Sequence, residues 1–261
     1  MNLGLEGRIA LVTGGSKGIG LACAQRLLAE GARVVIASRS ESHLDAAKRS
    51  LGTQGGEVVA YAVDLRDAAE AATLVDAVER DVGPIDVLVT SAGAAKRYPP
   101  ESLDAAAWHD TMDAKYFTTI HVVDPTIKRM AARGRGVIVN IIGQGGKVAG
   151  DHHIAGGAAN AALMLATAGL AHAYAKQGVR VVAINPGATM TTRVDEALAL
   201  EAAQQGITKE EALRRGEARI PLGRFADPDD IARMAVFLAS DLAAYVTATT
   251  IPMDGGATPV I

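Results

Sequence analysis

Short β-branched and aliphatic runs alternate with longer helix-like stretches along the whole chain. The apolar runs span residues 8–13, 33–38, 57–63, 85–90, 136–142, 179–184 and 247–253, which predicts seven strands. Helical patterns lie between them, including a long one from about 104 to 132 and an Ala-rich one from about 154 to 176. Nearly continuous apolar strands that alternate with helices are typical of a parallel sheet covered on both faces. The pattern therefore predicts a doubly wound α/β fold.

The regular alternation is interrupted once, after Pro186. Residues 189–219 are charged and helical, and the strand and helix patterns resume beyond them. We interpret this stretch as an insertion that closes over the substrate and not as a second domain. A length of 261 residues suits one large domain. The sequence therefore predicts a single domain over residues 1–261.

Composition and charge narrow the classes of function. The chain has 26 Lys and Arg residues against 29 Asp and Glu, a formal net charge of −3, which argues against a protein built mainly to bind nucleic acid. Aromatic residues make up only 3%, so rings for base stacking or a membrane belt are scarce. We expect a small-molecule substrate and neither a nucleic-acid nor a membrane partner.

The cysteine content, the first eight residues and the Ala-rich stretch bear on the cellular compartment of the protein. A single cysteine, Cys23, excludes internal disulfides, and residues 1–8 lack the basic-then-apolar layout of a signal peptide. The stretch 154–175 is mostly Ala and Gly, which contribute little to membrane insertion, so it is interpreted as a buried helix. These features predict a cytoplasmic protein.

A glycine-rich loop joins the first predicted strand to the first helix, in the spacing Thr-Gly-x-x-x-Gly-x-Gly. Glycines allow a tight turn and a close approach to a pyrophosphate, whose charge lies at the N-terminus of the following helix. A glycine cluster alone is a weak signal, but this position is typical of a Rossmann-type dinucleotide site. The predicted cofactor residues of the loop are Gly14, Ser16, Lys17, Gly18, Ile19 and Gly20.

The end of the second strand distinguishes between the two nicotinamide cofactors. An acid at this place would accept the adenine ribose 2′-hydroxyl of NAD, but the sequence has Ser38 and Arg39. Together with Lys17, these residues offer two cations and a hydroxyl to a 2′-phosphate. Each cation alone would more often be a solvated surface residue. Their joint placement predicts NADP(H) in preference to NAD(H).

These motifs, with others further along, resemble the short-chain dehydrogenase/reductase family over essentially the whole chain. The matching residues are Thr13, Gly14, Gly18 and Gly20, Asp64-Leu65, Ser91-Ala92-Gly93, Asn140, Asn185-Pro186-Gly187 with Thr191, and Asp254-Gly255-Gly256. The resemblance implies hydride transfer to or from a small carbonyl or alcohol substrate. It also implies cofactor contacts from Asp64 and Leu65 to the adenine, from Ala92 and Gly93 to the ribose, and from Pro186, Gly187, Thr189 and Thr191 to the nicotinamide.

The catalytic positions of the family do not match this sequence. The family has a Tyr that donates the proton, a Lys that lowers its pKa, a Ser that holds the oxygen and an Asn on the preceding helix. Alignment of the neighbouring motifs places Gly143 at the Ser position, Gly156 at the Tyr, Asn160 at the Lys and Lys115 at the Asn. The usual proton donor and the usual hydroxyl are both replaced by glycine.

The family has Asn at the position of Lys115 and Lys at the position of Asn160. This sequence has the two residue types exchanged, so the pair of positions still holds one cation and one amide. A buried lysine is costly unless paired or neutral, and a lowered pKa would let Lys115 act as an acid, a base or a nucleophile. Three functions follow as alternatives. The first is an oxidoreductase with a non-standard acid–base site, the second a non-redox lyase or isomerase that uses Lys115, and the third a catalytically silent nucleotide-binding or regulatory protein.

A replacement proton donor is available in the loop before the Ala-rich helix. His153 lies about one helical turn before Gly156, and Gly143 and Gly156 are expected to leave room for its ring. Adjacent histidines such as His152 and His153 more often face solvent, and no third ligand at a suitable spacing supports a metal site. We therefore expect His153 beside Lys115 and Asn160 in the catalytic site, and no metal.

Two further segments carry weaker signals. Residues 144–147 border the pocket or form a flexible loop. The Ala-rich helix has many small residues, which let helices approach closely, so it either forms a subunit interface or is buried within one subunit. The family resemblance implies a homodimer or homotetramer that uses this helix and the one containing Lys115.

Overall fold

A computed structural model of the protein describes residues 2–52, 58–93 and 96–259. Within these residues seven strands form one parallel sheet in the order β3-β2-β1-β4-β5-β6-β7. They are β1 (Ile9–Thr13), β2 (Arg33–Ser38), β3 (Val58–Ala62), β4 (Ile85–Thr90), β5 (Gly136–Ile141), β6 (Val179–Pro186) and β7 (Thr250–Met253). The strand order reverses between β1 and β4, which opens a crevice at the carboxyl ends of these strands.

Helices cover both faces of the sheet. They are α1 (Gly18–Ala29), α2 (Glu41–Gly52), α3 (Ala68–Asp81), α4 (Ala105–Met112), α5 (Thr118–Arg133), α6 (Ile154–Tyr174), α7 (Thr192–Gln205), α8 (Lys209–Glu217) and α9 (Pro228–Ala239). The predicted doubly wound α/β fold is confirmed.

The core lies in two layers, one on each side of the sheet. On β1, Ala10 and Val12 pack toward α1 and α9, whereas Ile9 and Leu11 pack toward α3 and α5. Successive side chains of a strand point to opposite faces, so a strand with helices on both sides is apolar at every position. This explains why the strands were visible as nearly continuous apolar runs.

The long helix predicted from 104 to 132 is present and contains one wider turn. A π-helical turn, Asp113–Phe117, separates α4 from α5 and carries Lys115. The Thr118 hydroxyl donates to the Asp113 carbonyl (2.8 Å) and the Thr119 hydroxyl donates to the Lys115 carbonyl (3.1 Å), which satisfies carbonyls beside the wider turn. Single π-turns inside helices are frequent at functional sites. The helix itself was predicted, but the π-helical turn inside it was not, because its five residues suit an ordinary helix.

The last strand is shorter than predicted. It begins at Thr250 and not at Thr247, because Ala248 has a positive φ of 58° that interrupts the extended run. The preceding residues still reach β6, since Val181 donates its N–H to the Thr247 hydroxyl oxygen at 3.1 Å. Glu57, the predicted first residue of the third strand, lies outside the described residues.

The Ala-rich helix α6 is long and apolar enough to cross a membrane by length and composition alone. Core helices of globular proteins pass the same test. Here α6 lies against β6 and the turn at Gln144–Gly146, and it buries the polar side chains of Asn160 and Thr167. These contacts agree with the interpretation of α6 as a core helix.

Candidate active site

The glycine loop lies at the crevice, directly against the segment that follows β4. Gly14 has a φ of 67°, and a Cβ atom there would lie 2.7 Å from both the Ser91 carbonyl carbon and the Ala92 nitrogen. A Cβ at Gly18, where φ is 53°, would lie 3.2 Å from Thr191 Cγ2. The glycines therefore allow the β1, β4 and β6 loops to meet at one point. This is the close approach that a dinucleotide site requires.

The first turn of α1 faces this meeting point without an acidic residue. Lys17 is its N-cap, and the Lys17 side chain makes no capping hydrogen bond to the first turn. Free N–H groups and the positive end of the helix dipole favour an anionic ligand. The loop thus fits the pyrophosphate of a dinucleotide.

The end of β2 fits the phosphate that distinguishes NADP(H) from NAD(H). The Ser38 Oγ atom is buried and has no hydrogen-bond partner in the described part of the chain. Arg39, the next residue in the chain, and Lys17 in the glycine loop are both exposed. A buried hydroxyl without a partner is costly, so a ligand oxygen at this place would satisfy it.

The other predicted cofactor residues also lie along the carboxyl edge of the sheet. Leu65 is buried after β3, and the Asp64 carboxylate accepts the Arg66 N–H at 3.1 Å. Gly93 approaches the π-helical turn, since a Cβ there would lie 2.5 Å from the Ala114 carbonyl oxygen. The remaining members are Ala92 after β4, and Pro186, Gly187, Thr189 and Thr191 at and after the end of β6. The structure places all of them at one edge, and their individual contacts to a cofactor stay predictions.

Lys115 extends from the π-helical turn to the end of β5. Its side chain is buried, with 8% of the residue exposed, and Nζ donates to the carbonyl oxygens of Ile142 (2.8 Å) and Ile141 (3.3 Å). Burial, and to a lesser extent the nearby charge of Arg193, lower the pKa of Lys115 to about 8. The lysine is therefore held by neutral carbonyl groups, which solvate the ammonium without neutralising it.

Asn160 faces the same place from α6. It is 4% exposed, and its Oδ1 atom is buried without a hydrogen-bond partner in the described residues. Its Nδ2 atom would lie 3.2 Å from a Cβ at Gly143 and 3.6 Å from one at Gly145. The space that a side chain at position 143 would fill is therefore open to the amide of Asn160.

His153 lies just before α6, where its side chain does not cap the helix. It is half-buried, and its Nδ1 atom is buried without a partner among the described residues. Burial is the main cause that lowers the pKa of His153, followed by the charges of Arg97 and Lys115. The ring was expected to occupy room left by Gly143 and Gly156. It lies instead against Gly145, where a Cβ would be 2.7 Å from His153 Cδ2.

Two arginines near the site were missed in the sequence. Arg97, in the segment after β4, acts on His153, and Arg193, in the first turn of α7, acts on Lys115. The Tyr98 N–H donates to the His152 carbonyl oxygen at 3.1 Å, which joins these two loops. Because the two arginines and Lys115 come from separate segments, only the fold shows that they share one positive field.

The segment 144–147 borders the site. The Gln144 Nε2 group donates to Asp254 Oδ2 at 2.6 Å, and the Gln144 Oε1 atom is buried without a partner in the described chain. The pairing of these two residues was not predicted, since 110 residues separate them. No cluster of three or more His, Cys, Asp or Glu side chains suited to a metal lies in the described ranges.

Comparisons with known proteins agree with this geometry. The family model described as Enoyl-(Acyl carrier protein) reductase matches residues 14–258. D-threitol dehydrogenase of Mycolicibacterium smegmatis is 37% identical over 254 residues, which cover 97% of this chain and 94% of that protein.

Two solved structures share the fold over nearly their full length. L-sorbose reductase from Gluconobacter frateurii, complexed with NADPH and L-sorbose, superimposes with a TM-score of 0.95 at 28% identity and 100% coverage of both chains. The second is an NADPH-bound short chain oxidoreductase from Pseudomonas aeruginosa PAO1, described as containing an atypical catalytic center. It superimposes with a TM-score of 0.89 at 31% identity, and the match covers 97% of this chain and 98% of that one.

This chain therefore belongs to the short-chain dehydrogenase/reductase family and is an oxidoreductase of that family. The NADPH-bound neighbours support the predicted preference for NADP(H) over NAD(H).

Proposed function

We propose that this protein transfers hydride between NADP(H) and a small carbonyl or alcohol substrate, with Lys115 in place of the usual tyrosine as the acid–base group. The observation that carries the proposal is the Lys115 ammonium, buried at the carboxyl end of β5, where its Nζ donates to the carbonyl oxygens of Ile141 and Ile142. Arg39, Lys17 and the unpartnered Ser38 hydroxyl support NADP(H) as the cofactor.

The hydrogen bonds of Lys115 suit proton transfer. An ammonium has three N–H donors, of which the carbonyl oxygens of Ile142 and Ile141 accept two. The third can point to a substrate oxygen. After the proton leaves, the neutral amine keeps both bonds to the carbonyls and turns its lone pair toward the new alcohol. The two protonation states differ only in whether the third site on Nζ is an N–H or a lone pair, so the side chain need not move.

The pKa of Lys115 suits both directions of the reaction. With a value of about 8, the side chain is mostly protonated at neutral pH and deprotonates under mildly alkaline conditions. When bound, the nicotinamide supplies or accepts the hydride. Lys115 gives the proton to the carbonyl oxygen during reduction and removes it from the hydroxyl during oxidation.

His153 and Asn160 complete the proposed catalytic set. The buried Asn160 Oδ1, which has no partner in the described part of the chain, accepts a hydrogen bond from the substrate next to Lys115. The lowered pKa of His153 keeps its ring neutral, so the ring can accept a proton or donate its ring N–H to the substrate. The atypical catalytic center ascribed to the Pseudomonas aeruginosa oxidoreductase, which is 31% identical, supports a family member that works without the usual residues.

The relatives support a hydrophilic small substrate. One acts on D-threitol and another was crystallised with L-sorbose, so both handle hydroxylated carbon chains. We place the present substrate in the same broad group of small carbonyl and alcohol compounds. The helices α7 and α8, which contain most of the residues 189–219, are proposed to cover it.

The test is transfer of deuterium from 4-deuterated NADPH to a panel of aldehydes and ketones. The proposal expects deuterium on the carbon that bore the carbonyl, with one NADPH oxidised for each product, and a large loss of rate in Lys115→Met. Substrate turnover without NADPH oxidation would favour a lyase or isomerase. Tight NADPH binding without any turnover would favour a silent regulatory protein.

We further propose a cytoplasmic homodimer or homotetramer that associates through α6 and the neighbouring helix. Leu165 on α6 is 77% exposed, and Trp108, Phe117 and Ile154 are also exposed although they are large and apolar. Large exposed apolar side chains on neighbouring elements favour a subunit interface. The buried Cys23, the single cysteine of the sequence, agrees with a reducing compartment.

A further inference from the structure

Buried polar atoms without a partner are concentrated at the two ends of the crevice. Six such side-chain atoms occur in the described ranges. Four of them belong to Ser38 at the cofactor end and to Gln144, His153 and Asn160 at the substrate end. Because an unmet buried hydrogen bond is costly, a cluster of such atoms at a cleft indicates a ligand that supplies the missing partners.

The orientation of Gln144 is fixed by its neighbour. Asp254 is 9% exposed, and its carboxylate accepts hydrogen bonds from Gln144 Nε2 (2.6 Å), the Gly256 N–H (3.0 Å) and the Thr258 N–H (3.0 Å). A carboxylate in this role only accepts, so the Gln144 amide must present its NH₂ group to Asp254. The Oε1 atom therefore faces the other way. Asp254 acts as a positioning residue for it.

The turn that carries Gln144 lies directly on α6 beside Asn160. A Cβ at Gly146 would lie 2.9 Å from the Ala161 nitrogen, and one at Gly143 would lie 3.2 Å from Asn160 Nδ2. Gln144 Oε1 and Asn160 Oδ1, which lack partners among the described residues, thus belong to two elements in direct contact, the 144–146 turn and α6. Lys115 Nζ lies at the end of β5, immediately before this turn.

The chemistry of these atoms limits the ligand. Amide oxygens can only accept hydrogen bonds, so the group opposite each of them must be a donor. A plain ketone or aldehyde has no donor. Ammonium groups are disfavoured here by the positive charges of Lys115, Arg97 and Arg193 around the cleft. Neutral hydroxyl groups meet both conditions.

We infer that the substrate carries hydroxyl groups next to the reacting carbonyl, as in a hydroxyketone or an open-chain sugar, and that Gln144, oriented by Asp254, selects for them. The inference rests on the proposed hydride-transfer function and deepens it. It assigns to Gln144 a specificity-determining role. A hydroxyl at this place gains a hydrogen bond, whereas a substrate without it leaves Gln144 Oε1 unpaired.

The experiment measures kcat/KM for NADPH-dependent reduction of three four-carbon ketones, 2-butanone, 1-hydroxy-2-butanone and erythrulose. Wild type is compared with Gln144→Met, which keeps the length of the side chain and removes the acceptor, and with Gln144→Ala. The exposed Gln25→Leu on α1 is the control. Because hydroxyketones are intrinsically more reactive, the readout is the change in the ratio of erythrulose to 2-butanone between wild type and variant.

We expect this ratio to fall by about tenfold in both Gln144 variants and to stay unchanged in Gln25→Leu. A titration of each variant with NADPH verifies folding and separates the two ends of the cleft. An unchanged ratio would overturn the inference and leave the hydride-transfer function standing. Weaker NADPH binding with an unchanged ratio would mean that Gln144 faces the cofactor. Failure of wild type to oxidise NADPH with any of the three ketones would count against both proposals.

Discussion

Replacement of Lys115 by methionine tests the electrostatics of the site without knowledge of the substrate. The wild-type ammonium is buried and contacts two neutral carbonyl groups, so folding carries a positive charge into an environment that holds it less well than water. Methionine has a similar length and no charge. The difference between the two proteins should therefore depend on pH.

The size of this pH dependence of stability follows from the pKa of Lys115. Burial lowers the pKa of Lys115 from 10.5 to about 8, which corresponds to about 3 kcal/mol of unfavourable free energy when the group is charged in both the folded and the unfolded chain. At pH values between the folded-state and the unfolded-state pKa of Lys115, this residue binds more protons in the unfolded chain than in the folded one. Wild-type stability should therefore rise with pH across this window, by about 2 kcal/mol between pH 7 and pH 9.5.

The assay is urea unfolding of both proteins at pH 7 and pH 9.5, followed by far-UV circular dichroism. Other groups titrate in this range too, but they are common to both proteins and cancel in the difference. Loss of the ammonium leaves the carbonyls of Ile141 and Ile142 without this donor, which costs about 1–3 kcal/mol at either pH. We therefore expect Lys115→Met to lose about 2 kcal/mol relative to wild type as the pH rises.

The same substitution at the exposed Lys48 serves as the control and should leave the pH dependence of stability unchanged. A pH-independent difference between wild type and Lys115→Met would refute the claim that this lysine is desolvated. A difference of the opposite sign would mean that Lys115 is paired with an anion in the folded protein.

Three further predictions concern the cofactor site and the subunit interface. Arg39→Ala should weaken NADPH binding about tenfold or more and leave NADH binding unchanged, because only NADPH carries the 2′-phosphate. Fluorescence titration with each cofactor measures this, and equal losses of affinity for both would contradict the prediction. Gly14→Ala places a Cβ 2.7 Å from the Ser91 carbonyl carbon at a residue with a φ of 67°. The variant should therefore lose about 1–3 kcal/mol of stability in urea unfolding and should not bind NADPH. A stable variant that binds NADPH would show that the β1 and β4 loops are not in contact. Leu165→Glu should lower the molar mass found by light scattering, and an unchanged oligomer would place the interface elsewhere.

Local patterns predicted the fold because the strands of a doubly wound sheet are apolar at most positions. β1 and β2 were predicted from such runs, and the glycine loop between them identified the nucleotide end of the crevice. The spacing of Gly14, Gly18 and Gly20 is visible in sequence because a positive φ at Gly14 and Gly18 and a close backbone contact at Gly20 favour glycine.

The substrate end of the crevice was less predictable because it is assembled from distant segments. Lys115 and Asn160 were found through their positions in the family, but the π-helical turn beneath Lys115 leaves no mark in a helical pattern. The bond between Gln144 and Asp254 and the field of Arg193 depend on long-range packing. His153 was expected at the site, yet the glycine that makes room for its ring is Gly145.

The pH dependence of kcat/KM for NADPH-dependent carbonyl reduction tests the role of Lys115 most directly. In wild type, kcat/KM should be constant at low pH and fall about tenfold per pH unit above about 8, as Lys115 loses the proton that it must donate. Lys115→Met should be slower by a factor of about 100 or more and should lack this decline. A variant that retains both the wild-type rate and the wild-type pH profile would show that Lys115 is not the acid.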